Sequence, residues 1–324
     1  MPVRLLRFSE LNLAAWDACV AEARPAVPYA HSWWLAATAG RWEALVDVDE
    51  ATGRYRALWP LPVKRRPGGR QVYQPPFTQQ LGHLTHPAAP AASWADETLL
   101  SLLTARYTRF YTQLNEANSL PGPGQALAPP APAALTLQAR QTYHLDLSSP
   151  CEQLRAGYCA DYRRRLRLNE AATAPLRAVE LPAVEPLMAL FQQTKGPAAG
   201  LRPRHYRQLR RLVAALQTRH LLEMRAVYHP LSGELLAGAL LVHYRTRLIY
   251  LFAAASPEGK KAAAPLVLLD EAIRRHAGTA ELILDFEGGM LPAIARFFAN
   301  FGAVPVPYAA LSFTQRPWYL KWMR

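Results

Sequence analysis

The sequence predicts an α/β protein that contains two copies of one arrangement of strands and helices. The two sets of three strands expected to pair antiparallel are 42–49, 54–64 and 71–77, and then 222–228, 235–244 and 248–255. Glycine-containing turns separate these runs, which are rich in valine, leucine, tyrosine and tryptophan, and this pattern is typical of β-hairpins. After the second set come a helix, a short strand and another helix, at 263–276, 282–286 and 291–301. Each copy is therefore expected to fold as a mostly antiparallel sheet flanked by helices.

Length and composition leave room for two domains. The chain has 324 residues, of which 51% are hydrophobic, so each half can bury a core of its own. No run reaches the roughly 18 apolar residues that a membrane-spanning helix needs, and the N-terminus lacks a long apolar leader. We therefore expect a cytoplasmic protein without an integral membrane segment.

The cysteines show no sign of a disulfide framework or a metal site. Cys19, Cys151 and Cys159 are odd in number and lie far from any C-x-x-C spacing. Such isolated cysteines are typical of reduced thiols in a protein core. We expect no metal and no tightly bound cofactor.

The surplus of basic residues favours an anionic partner. There are 37 lysine and arginine residues against 24 aspartate and glutamate residues, which gives a net charge of +13. Long-range attraction of this kind suits nucleic acid, a nucleotide-linked substrate, coenzyme A or a membrane surface. The same surplus is equally consistent with arginines that only solvate helix faces.

The N-terminal part is expected to form the first domain. Helices are predicted around 11–23 and at 32–39, ahead of the first set of strands. Prolines and a glycine make 74–82 irregular and partly exposed. A long helix is predicted at 93–118, because apolar residues there form one stripe at helical spacing. The stripe consists of Leu99, Leu102, Leu103, Tyr107, Phe110, Tyr111 and Leu114.

A proline-rich connector separates the two predicted domains. Residues 119–134 contain five prolines and two glycines, a composition that excludes a helix or a central strand. Alternation of apolar and polar residues predicts a strand at 135–147. These features place the first domain at 1–118, the connector with the entering strand at 119–144, and the second domain at 145–324.

A helix with a basic face is predicted to open the second domain. Ser149 as N-cap, Pro150 and Glu152 form a capping box at its start. Its apolar stripe is Leu154, Tyr158, Tyr162 and Leu166, and its basic cluster is Arg163, Arg164 and Arg167. The basic cluster is equally consistent with a solvated face and with a site for phosphate or carboxylate.

The segment after the second set of strands has the chemistry of an anion-binding helix start. It reads Ser256-Pro257-Glu258-Gly259-Lys260-Lys261-Ala262-Ala263-Ala264-Pro265. The alanines allow a ligand to approach closely, the two lysines add positive charge, and free backbone N–H groups at a helix start attract anions. The candidate donor-binding residues are Ser256, Lys260, Lys261, Ala262, Ala263 and Ala264. An ordinary strand-to-helix loop is the alternative.

Two carboxylates at the end of the next strand are the candidate catalytic residues. Asp285 and Glu287 are two residues apart, so on a strand their side chains would point to one face, opposite Phe286. Beside Gly288 and Gly289, which would admit a ligand, they could accept a proton from an attacking amine or orient it. The alternative is that Asp285 caps the chain or pairs with an arginine.

Two segments of the second domain carry a family resemblance. One is Asp285-Phe286-Glu287-Gly288 with Ile294-Ala295-Arg296-Phe297-Phe298 and Phe301-Gly302-Ala303, and the other is Tyr158 with Tyr162-Arg163-Arg164-Arg165-Leu166. They resemble the double-GNAT, Fem-type proteins related to peptidoglycan interpeptide-bridge ligases. The likeness covers 145–305 and extends to the N-terminal half by layout. The GNAT loop usually reads Arg/Gln-x-x-Gly-x-Gly/Ala, whereas here a basic pair stands where a glycine is expected.

The resemblance implies a transferase. Members of the family move an amino acid from aminoacyl-tRNA, or in the wider GNAT set an acyl group from CoA, onto an amine. Acyl-CoA or aminoacyl-tRNA is therefore the implied co-substrate, and tRNA is an implied partner. We expect direct aminolysis on an amine-bearing, anionic envelope or polysaccharide precursor. The alternative is a catalytically inert double-GNAT module that binds RNA or another anionic partner through its arginines.

The acceptor substrate is expected to bind where the two domains meet. Large ligands usually settle at domain junctions, where a few polar groups converge on an apolar floor. The residues expected to line that cleft are Trp34, Gln79 and Gln80 from the first domain and Arg163, Arg164 and Arg167 from the second.

Overall fold

The structure is a computed structural model that describes residues 3–89, 97–118 and 135–315. The proline-rich connector expected at 119–134 lies outside the described residues, as does the start of the helix expected at 93–118.

The chain folds into two compact units. Unit 1 comprises Met1–Arg140 and Pro307–Arg324, and unit 2 comprises Gln141–Val306. The stretch predicted as one second domain, 145–324, is therefore divided, because the C-terminal strand leaves unit 2 and joins the strands of unit 1.

Unit 1 is built on one sheet. Its strands are β1 (Arg4–Arg7), β2 (Trp42–Val48), β3 (Tyr55–Arg66), β4 (Gly69–Val72), β5 (Leu84–Thr85) and β6 (Arg109–Gln113), and its helices are α1 (Leu13–Glu22), α2 (Ser32–Thr38) and α3 (Glu97–Arg106). The strand order is β1-β2-β3-β4-β6, followed by the C-terminal strand β13 (Val304–Thr314), and β5 pairs with β3. Short 3-10 turns lie at Phe8–Glu10 and Pro28–Ala30.

Unit 2 has a second sheet with the strand order β7-β12-β11-β10-β9-β8. Its strands are β7 (Thr136–Asp146), β8 (Ala178–Glu180), β9 (Leu222–Tyr228), β10 (Leu235–Tyr244), β11 (Arg247–Ala255) and β12 (Ile283–Asp285). Its helices are α4 (Cys151–Ala156), α5 (Ala160–Glu170), α6 (Glu185–Thr194), α7 (Gly196–Ala199), α8 (Pro203–Gln217), α9 (Pro257–Lys261), α10 (Ala264–His276) and α11 (Pro292–Ala299).

The two units repeat one strand topology. Strands β2–β3–β4 and β9–β10–β11 are antiparallel meanders, as predicted. A helix follows each meander, and the next strand, β6 or β12, runs parallel to the last strand of that meander. The neighbour beyond it is antiparallel and comes from elsewhere in the sequence: β13 lies beside β6, and β7 lies beside β12. The expected α/β class with mostly antiparallel sheets is confirmed.

The prediction of one helix at 93–118 is wrong for the second half of that range. Helix α3 ends at Arg106, and strand β6 follows it. In β6, Phe110 and Thr112 are buried whereas Arg109 is exposed, which is the two-residue period of a strand. Aromatic and β-branched residues fit a pleated, half-buried surface, and pairing with β13 selects the strand over the helix.

The helix with the basic face is in fact two helices, α4 and α5. Gly157 is the C-cap residue of α4, and the backbone N–H of Cys159 donates to the carbonyl oxygen of Asn300 at 2.9 Å, which holds the break in place. Pro150 occupies the N-cap position without a side-chain hydrogen bond, so the capping box predicted from Ser149 does not form.

Both faces of the sheet in unit 2 are covered. One face carries Ala237, Ala239 and Leu241 and packs against α4, α5, α10 and α11. On the opposite face, Phe191 of α6 lies 4.5 Å from Phe252 of β11, measured between ring centroids. A ligand of this unit can therefore approach its backbone only at strand ends or at an open strand edge.

Candidate active site

Strands β11 and β12 run parallel and then separate. The last of their residue pairs joins Ile249 to Asp285, where β12 ends, whereas β11 continues to Ala255. Next to this point Leu251 has no partner in β10, although its two neighbours in β11 are paired. Leu251 is therefore a β-bulge, a feature that bends a strand and leaves the extra residue unpaired. The bulge lies where the edge of β11 facing β12 becomes open.

Tyr250 lies in β11 directly before the bulged Leu251, next to the edge that β12 leaves open. Its half-buried ring lies edge-on to Phe286 and Phe298, at centroid distances of 6.4 and 6.3 Å. Burial raises the pKa of Tyr250. The phenol therefore stays protonated at neutral pH and is a hydrogen-bond donor beside the open edge of β11.

Asp285 is buried and held by several hydrogen bonds. Its carboxylate is 2% exposed and accepts from the Thr142 hydroxyl at 2.7 Å and from the Glu287 backbone N–H at 2.9 Å. Nε2 of His144 lies 3.3 Å from the second carboxylate oxygen. Burial acts to raise the pKa of Asp285, but the hydrogen bonds and the charge of His144 outweigh it and lower the pKa. Asp285 is therefore ionised and a weak proton acceptor.

Arg247 extends this buried network. Its Nη1 lies 2.9 Å from Nε2 of His144, and the arginine side chain is itself buried. The same His144 nitrogen therefore lies beside both the Arg247 guanidinium and the Asp285 carboxylate. Asp285 thus links Thr142 and His144 of β7 to the backbone that follows β12.

Glu287 is not on the strand. Strand β12 ends at Asp285, and Glu287 has a φ of 50°, a left-handed conformation. The expectation that the two carboxylates point to the same face of a strand is therefore wrong, because the chain turns between them and the Glu287 N–H folds back onto Asp285. The Glu287 side chain is half-buried, whereas Asp285 is buried.

The loop after Glu287 presses closely on β7. The Phe286 N–H donates to the carbonyl oxygen of Tyr143 at 3.0 Å, and Gln141 Nε2 donates to the Gly289 carbonyl oxygen at 3.0 Å. A Cβ atom at Gly289 would lie 2.9 Å from the Tyr143 ring, so only glycine fits there. The loop conformation that places Glu287 is thus set by packing against β7.

The predicted donor-binding segment forms a short helix and the start of a longer one. The Ser256 hydroxyl accepts from the Gly259 N–H at 2.9 Å and caps α9. A Cβ atom at Gly259 would come 2.1 Å from the Leu236 carbonyl oxygen, so this glycine permits α9 to rest on β10. Lys260 and Lys261 are exposed at the end of α9.

The start of α10 carries no side-chain cap. Ala263 precedes the helix in a left-handed conformation with a φ of 60°, Ala264 is fully buried, and Pro265 occupies the first turn. Ala262 is exposed just before this point. The N–H groups of Ala262 and Ala263 already donate to the carbonyl oxygens of Glu258 and Lys260, and Pro265 has none. The positive field of the helix start and the exposed lysines, and not free amides, are what an anion would meet here.

Lys195 is a cation near this segment that sequence reasoning missed. It follows α6, and its Nζ donates to the carbonyl oxygen of Ala253 in β11 at 3.3 Å. Burial, and secondly the charge of Lys260, lower the pKa of Lys195. The two lysines are therefore close enough to interact, and only tertiary packing brings α6 to the end of β11.

The predicted arginine cluster is divided between two roles. Arg163 and Arg167 line a groove of about 470 Å³ between α4 and α5, together with Tyr158, whose buried hydroxyl has no hydrogen-bond partner among the described residues. Arg164 instead pairs with Asp161 at 2.8 Å on the exposed side of α5. Two of the three arginines therefore face a concavity.

The predicted substrate residues of the first domain lie together around Thr78 in unit 1. Trp34 is fully buried, and its Nε1 donates to the Thr78 hydroxyl at 3.1 Å. Gln80 is 1% exposed, and the Gln79 backbone carbonyl accepts from Gln74 Nε2 at 3.3 Å. In contrast to the expectation, Trp34 and Gln80 do not reach a surface, because the loop around Thr78 packs into the core.

Among the described residues, no helix has the length and apolarity needed to cross a membrane. No group of three or more histidine, cysteine, aspartate or glutamate side chains in the same part of the chain could hold a metal ion. The described thiols of Cys19, Cys151 and Cys159 are free.

A family model matches the part of unit 2 that contains the separating strands. Residues 157–290 match the model described as Acetyltransferase (GNAT) domain. The matched segment includes the bulge in β11, the start of α10 and Asp285. No curated protein sequence matches the chain.

Solved structures match nearly the whole chain. FemX is 11% identical with a TM-score of 0.58, covering 95% of this chain and 97% of that one. A tandem GNAT protein from the clavulanic acid biosynthesis pathway is 14% identical with a TM-score of 0.51, covering 96% and 98%. The C-terminal domain of a putative lysylphosphatidylglycerol synthetase from Agrobacterium fabrum is 12% identical with a TM-score of 0.51, covering 93% and 91%. The expected double-GNAT, Fem-type fold is confirmed.

Proposed function

Because residues 157–290 match the GNAT domain and the chain has the fold of FemX and of a tandem GNAT protein, we propose that this protein is an N-acyltransferase. The observation that carries the proposal is the separation of β11 from β12 at the bulged Leu251, with the uncapped start of α10 at the far end of β11. An open strand edge that leads to a helix start can hold an extended chain with a phosphate at one end.

The donor in this proposal is acyl-CoA or aminoacyl-tRNA. Its phosphates would lie at Lys260 and Lys261, beside residues 262–264, where two ammonium groups add to the field of the helix start. Ser256 shapes this loop by capping α9. Lys195, which we add to the donor site, contributes a further positive charge next to Lys260. The reactive carbonyl would then lie near the bulge.

The proposed reaction is direct aminolysis. The amine nitrogen attacks the donor carbonyl carbon, a C–N bond forms, and the C–S bond of a thioester or the C–O bond of an aminoacyl ester breaks. Glu287 accepts the proton that the amine loses, and the Tyr250 hydroxyl gives a proton to the leaving group. The backbone N–H of Leu251 polarises the carbonyl. Asp285 positions Glu287 by accepting a hydrogen bond from the Glu287 backbone N–H.

The acceptor we propose is an amine on an anionic envelope or polysaccharide precursor, encountered in the cytoplasm. The net charge of +13 supports an anionic acceptor, and Arg163 and Arg167 would contact it in their groove, which Glu152 and Glu170 also line. The likeness to the C-terminal domain of a putative lysylphosphatidylglycerol synthetase is consistent with an envelope substrate. The proposed cleft residues Gln79 and Arg164 remain a prediction.

The experiment is a donor screen on the purified full chain, first by thermal melting and then by turnover. A donor at about 100 times its Kd should stabilise the protein by roughly 2.7 kcal/mol. Turnover is then followed as thiol release from acyl-CoA, or as amide formation from aminoacyl-tRNA, with a panel of amines. No turnover with any donor, together with an RNA affinity that falls steeply with salt, would instead identify an inert RNA-binding module.

The donor site itself can be tested by removing its two exposed lysines. The double substitution Lys260→Ala/Lys261→Ala is expected to weaken donor binding by about tenfold or more, because charge-assisted hydrogen bonds to phosphate are lost. The melting temperature should stay unchanged, since both side chains are exposed. Arg207→Ala/Arg211→Ala on the exposed side of α8 removes the same charge elsewhere and serves as the control. Equal donor affinity in both double variants would place the donor elsewhere.

A further inference from the structure

Unit 1 contains a basic groove that the proposed reaction does not use. The groove has a volume of about 520 Å³ and lies where β1 ends, β2 begins and the β3–β4 hairpin turns. Five cationic side chains line it, and Glu43 is the only acidic residue among its lining residues. The five are Arg7, Arg41, Lys64, Arg65 and Arg70. All of them belong to unit 1, so the groove is built without any residue of the proposed active site.

Glu43 does not neutralise the groove, because its carboxylate is already paired with other side chains. The carboxylate is 5% exposed and accepts from Arg70, from the Tyr107 hydroxyl at 2.6 Å and from Arg106 Nε at 3.3 Å. Burial alone would raise the pKa of Glu43, but the hydrogen bonds from Tyr107 and the two arginines lower it, so the residue stays ionised and paired.

Two cations of the groove remain available to a ligand. Arg41 and Arg65 are exposed, and their guanidinium groups have no ion-pair or hydrogen-bond partner among the described residues. Lys64 lies over the Tyr73 ring, with its Nζ 4.8 Å from the ring centroid. Guanidinium groups converging on one concavity match the geometry of phosphate oxygens.

Trp42 forms part of the floor of the groove. It lines the groove and is 1% exposed, and its buried indole Nε1–H has no hydrogen-bond partner among the described residues. An indole N–H can only donate, and leaving it unpaired in a buried position costs free energy.

Phe8 adds a planar apolar surface at the same place. It lines the groove, is 47% exposed, and meets the Trp42 ring edge-on at a centroid distance of 5.4 Å. Exposed aromatic rings beside a positively charged groove stack on nucleic-acid bases. The volume of the groove suits a small ligand rather than a long strand.

We propose that this groove of unit 1 binds a nucleotide, with its phosphates held by Arg41 and Arg65 and its base stacked on Phe8. The site is distinct in composition from the donor-binding segment of unit 2 and does not depend on the acyltransferase proposal. Phosphate esters also occur in RNA, so the titration has to distinguish a mononucleotide from an RNA strand.

The test is calorimetric titration of the full chain at low ionic strength with ADP, inorganic pyrophosphate and a single-stranded RNA. Arg41→Gln/Arg65→Gln is expected to weaken ADP and pyrophosphate binding by about tenfold or more, the loss that follows removal of charge-assisted hydrogen bonds. The control Arg54→Gln/Arg109→Gln removes two exposed arginines of unit 1 outside the groove and should leave both affinities unchanged. Lys260→Ala/Lys261→Ala removes the lysines of the donor site, so ADP binding that persists in this variant and is lost in Arg41→Gln/Arg65→Gln belongs to the groove.

Two further variants test the two aromatic contacts. Phe8→Ala should remove the preference for ADP over pyrophosphate while pyrophosphate binding stays the same. A change in tryptophan fluorescence on adding ADP is expected in the wild type and should be lost in Trp42→Phe, once circular dichroism shows that this variant folds.

Three results would overturn the proposal: no ADP binding by the wild type, ADP binding that survives Arg41→Gln/Arg65→Gln but is lost in the lysine variant, or RNA bound more tightly than ADP through the same two arginines. The last result would assign the groove to nucleic acid.

Discussion

Replacing Asp285 by asparagine is expected to lower the free energy of unfolding by about 3 kcal/mol at neutral pH, the scale of breaking a buried ion pair. The asparagine keeps the shape and can still accept from Thr142, but it removes the negative charge beside His144. Urea denaturation of the two proteins measures the difference. A difference below about 1 kcal/mol, the scale of one ordinary hydrogen bond, would contradict an ion pair between Asp285 and His144.

The pH dependence of that difference follows from the lowered pKa of Asp285. Its pKa in the folded protein lies below the ordinary value of 3.8, so the stabilisation is fully present above that value and is lost as pH falls through the folded pKa. The difference in the free energy of unfolding between wild type and Asp285→Asn should therefore be constant near neutrality and should disappear in acid below pH 3.8. Asp161→Asn, at an exposed carboxylate paired with Arg164, is the control and should leave stability unchanged.

Replacing Glu287 by glutamine is expected to reduce kcat by about 10²- to 10⁴-fold, the usual contribution of a positioned general base. The substitution removes the proton acceptor but preserves the size of the side chain, and its backbone N–H can still donate to Asp285. The melting temperature and the donor affinity should therefore stay the same. Turnover is measured with the donor and amine that the screen identifies.

Glu281→Gln is the matched control for Glu287→Gln. Glu281 has a φ of 59°, close to the 50° of Glu287, but its side chain is exposed and lies before β12. The control should keep full turnover. If Glu287→Gln turned over as fast as Glu281→Gln, Glu287 would not be the base, and proton removal would have to occur through solvent or another residue.

Repeating local patterns were sufficient to predict much of the fold. The two meanders, the α/β class and the helix before β12 follow from apolar periodicity and turn glycines, and all of them occur in the structure. The segment at 256–265 was also recognisable as a helix start, because proline and alanines mark it in the sequence itself. The Fem-type resemblance of 145–305 rested on contiguous motifs and is supported by the comparisons.

Contacts between distant segments decided the rest. The helix predicted across 93–118 gave way to β6, and β13 joined unit 1, because pairing between 109–113 and 310–314 depends on residues that are far apart in the sequence. A helical stripe and a strand can share the same apolar residues, so periodicity alone does not choose between them. Hydrogen bonding of a strand to its neighbour makes that choice.

The candidate site shows the same division between features that follow from local sequence and features that depend on tertiary contacts. Asp285 and Glu287 were identifiable as a pair of carboxylates, but their different roles depend on burial by β7, on the contact with His144 and on the turn that gives Glu287 its positive φ. The bulge at Leu251 and the approach of Lys195 to Ala253 have no local sequence pattern. The sequence of this protein therefore determines which elements form and which titratable groups they carry. Tertiary packing determines which of those groups are buried, paired or open to a ligand, because desolvation and hydrogen bonding arise only when separate elements meet.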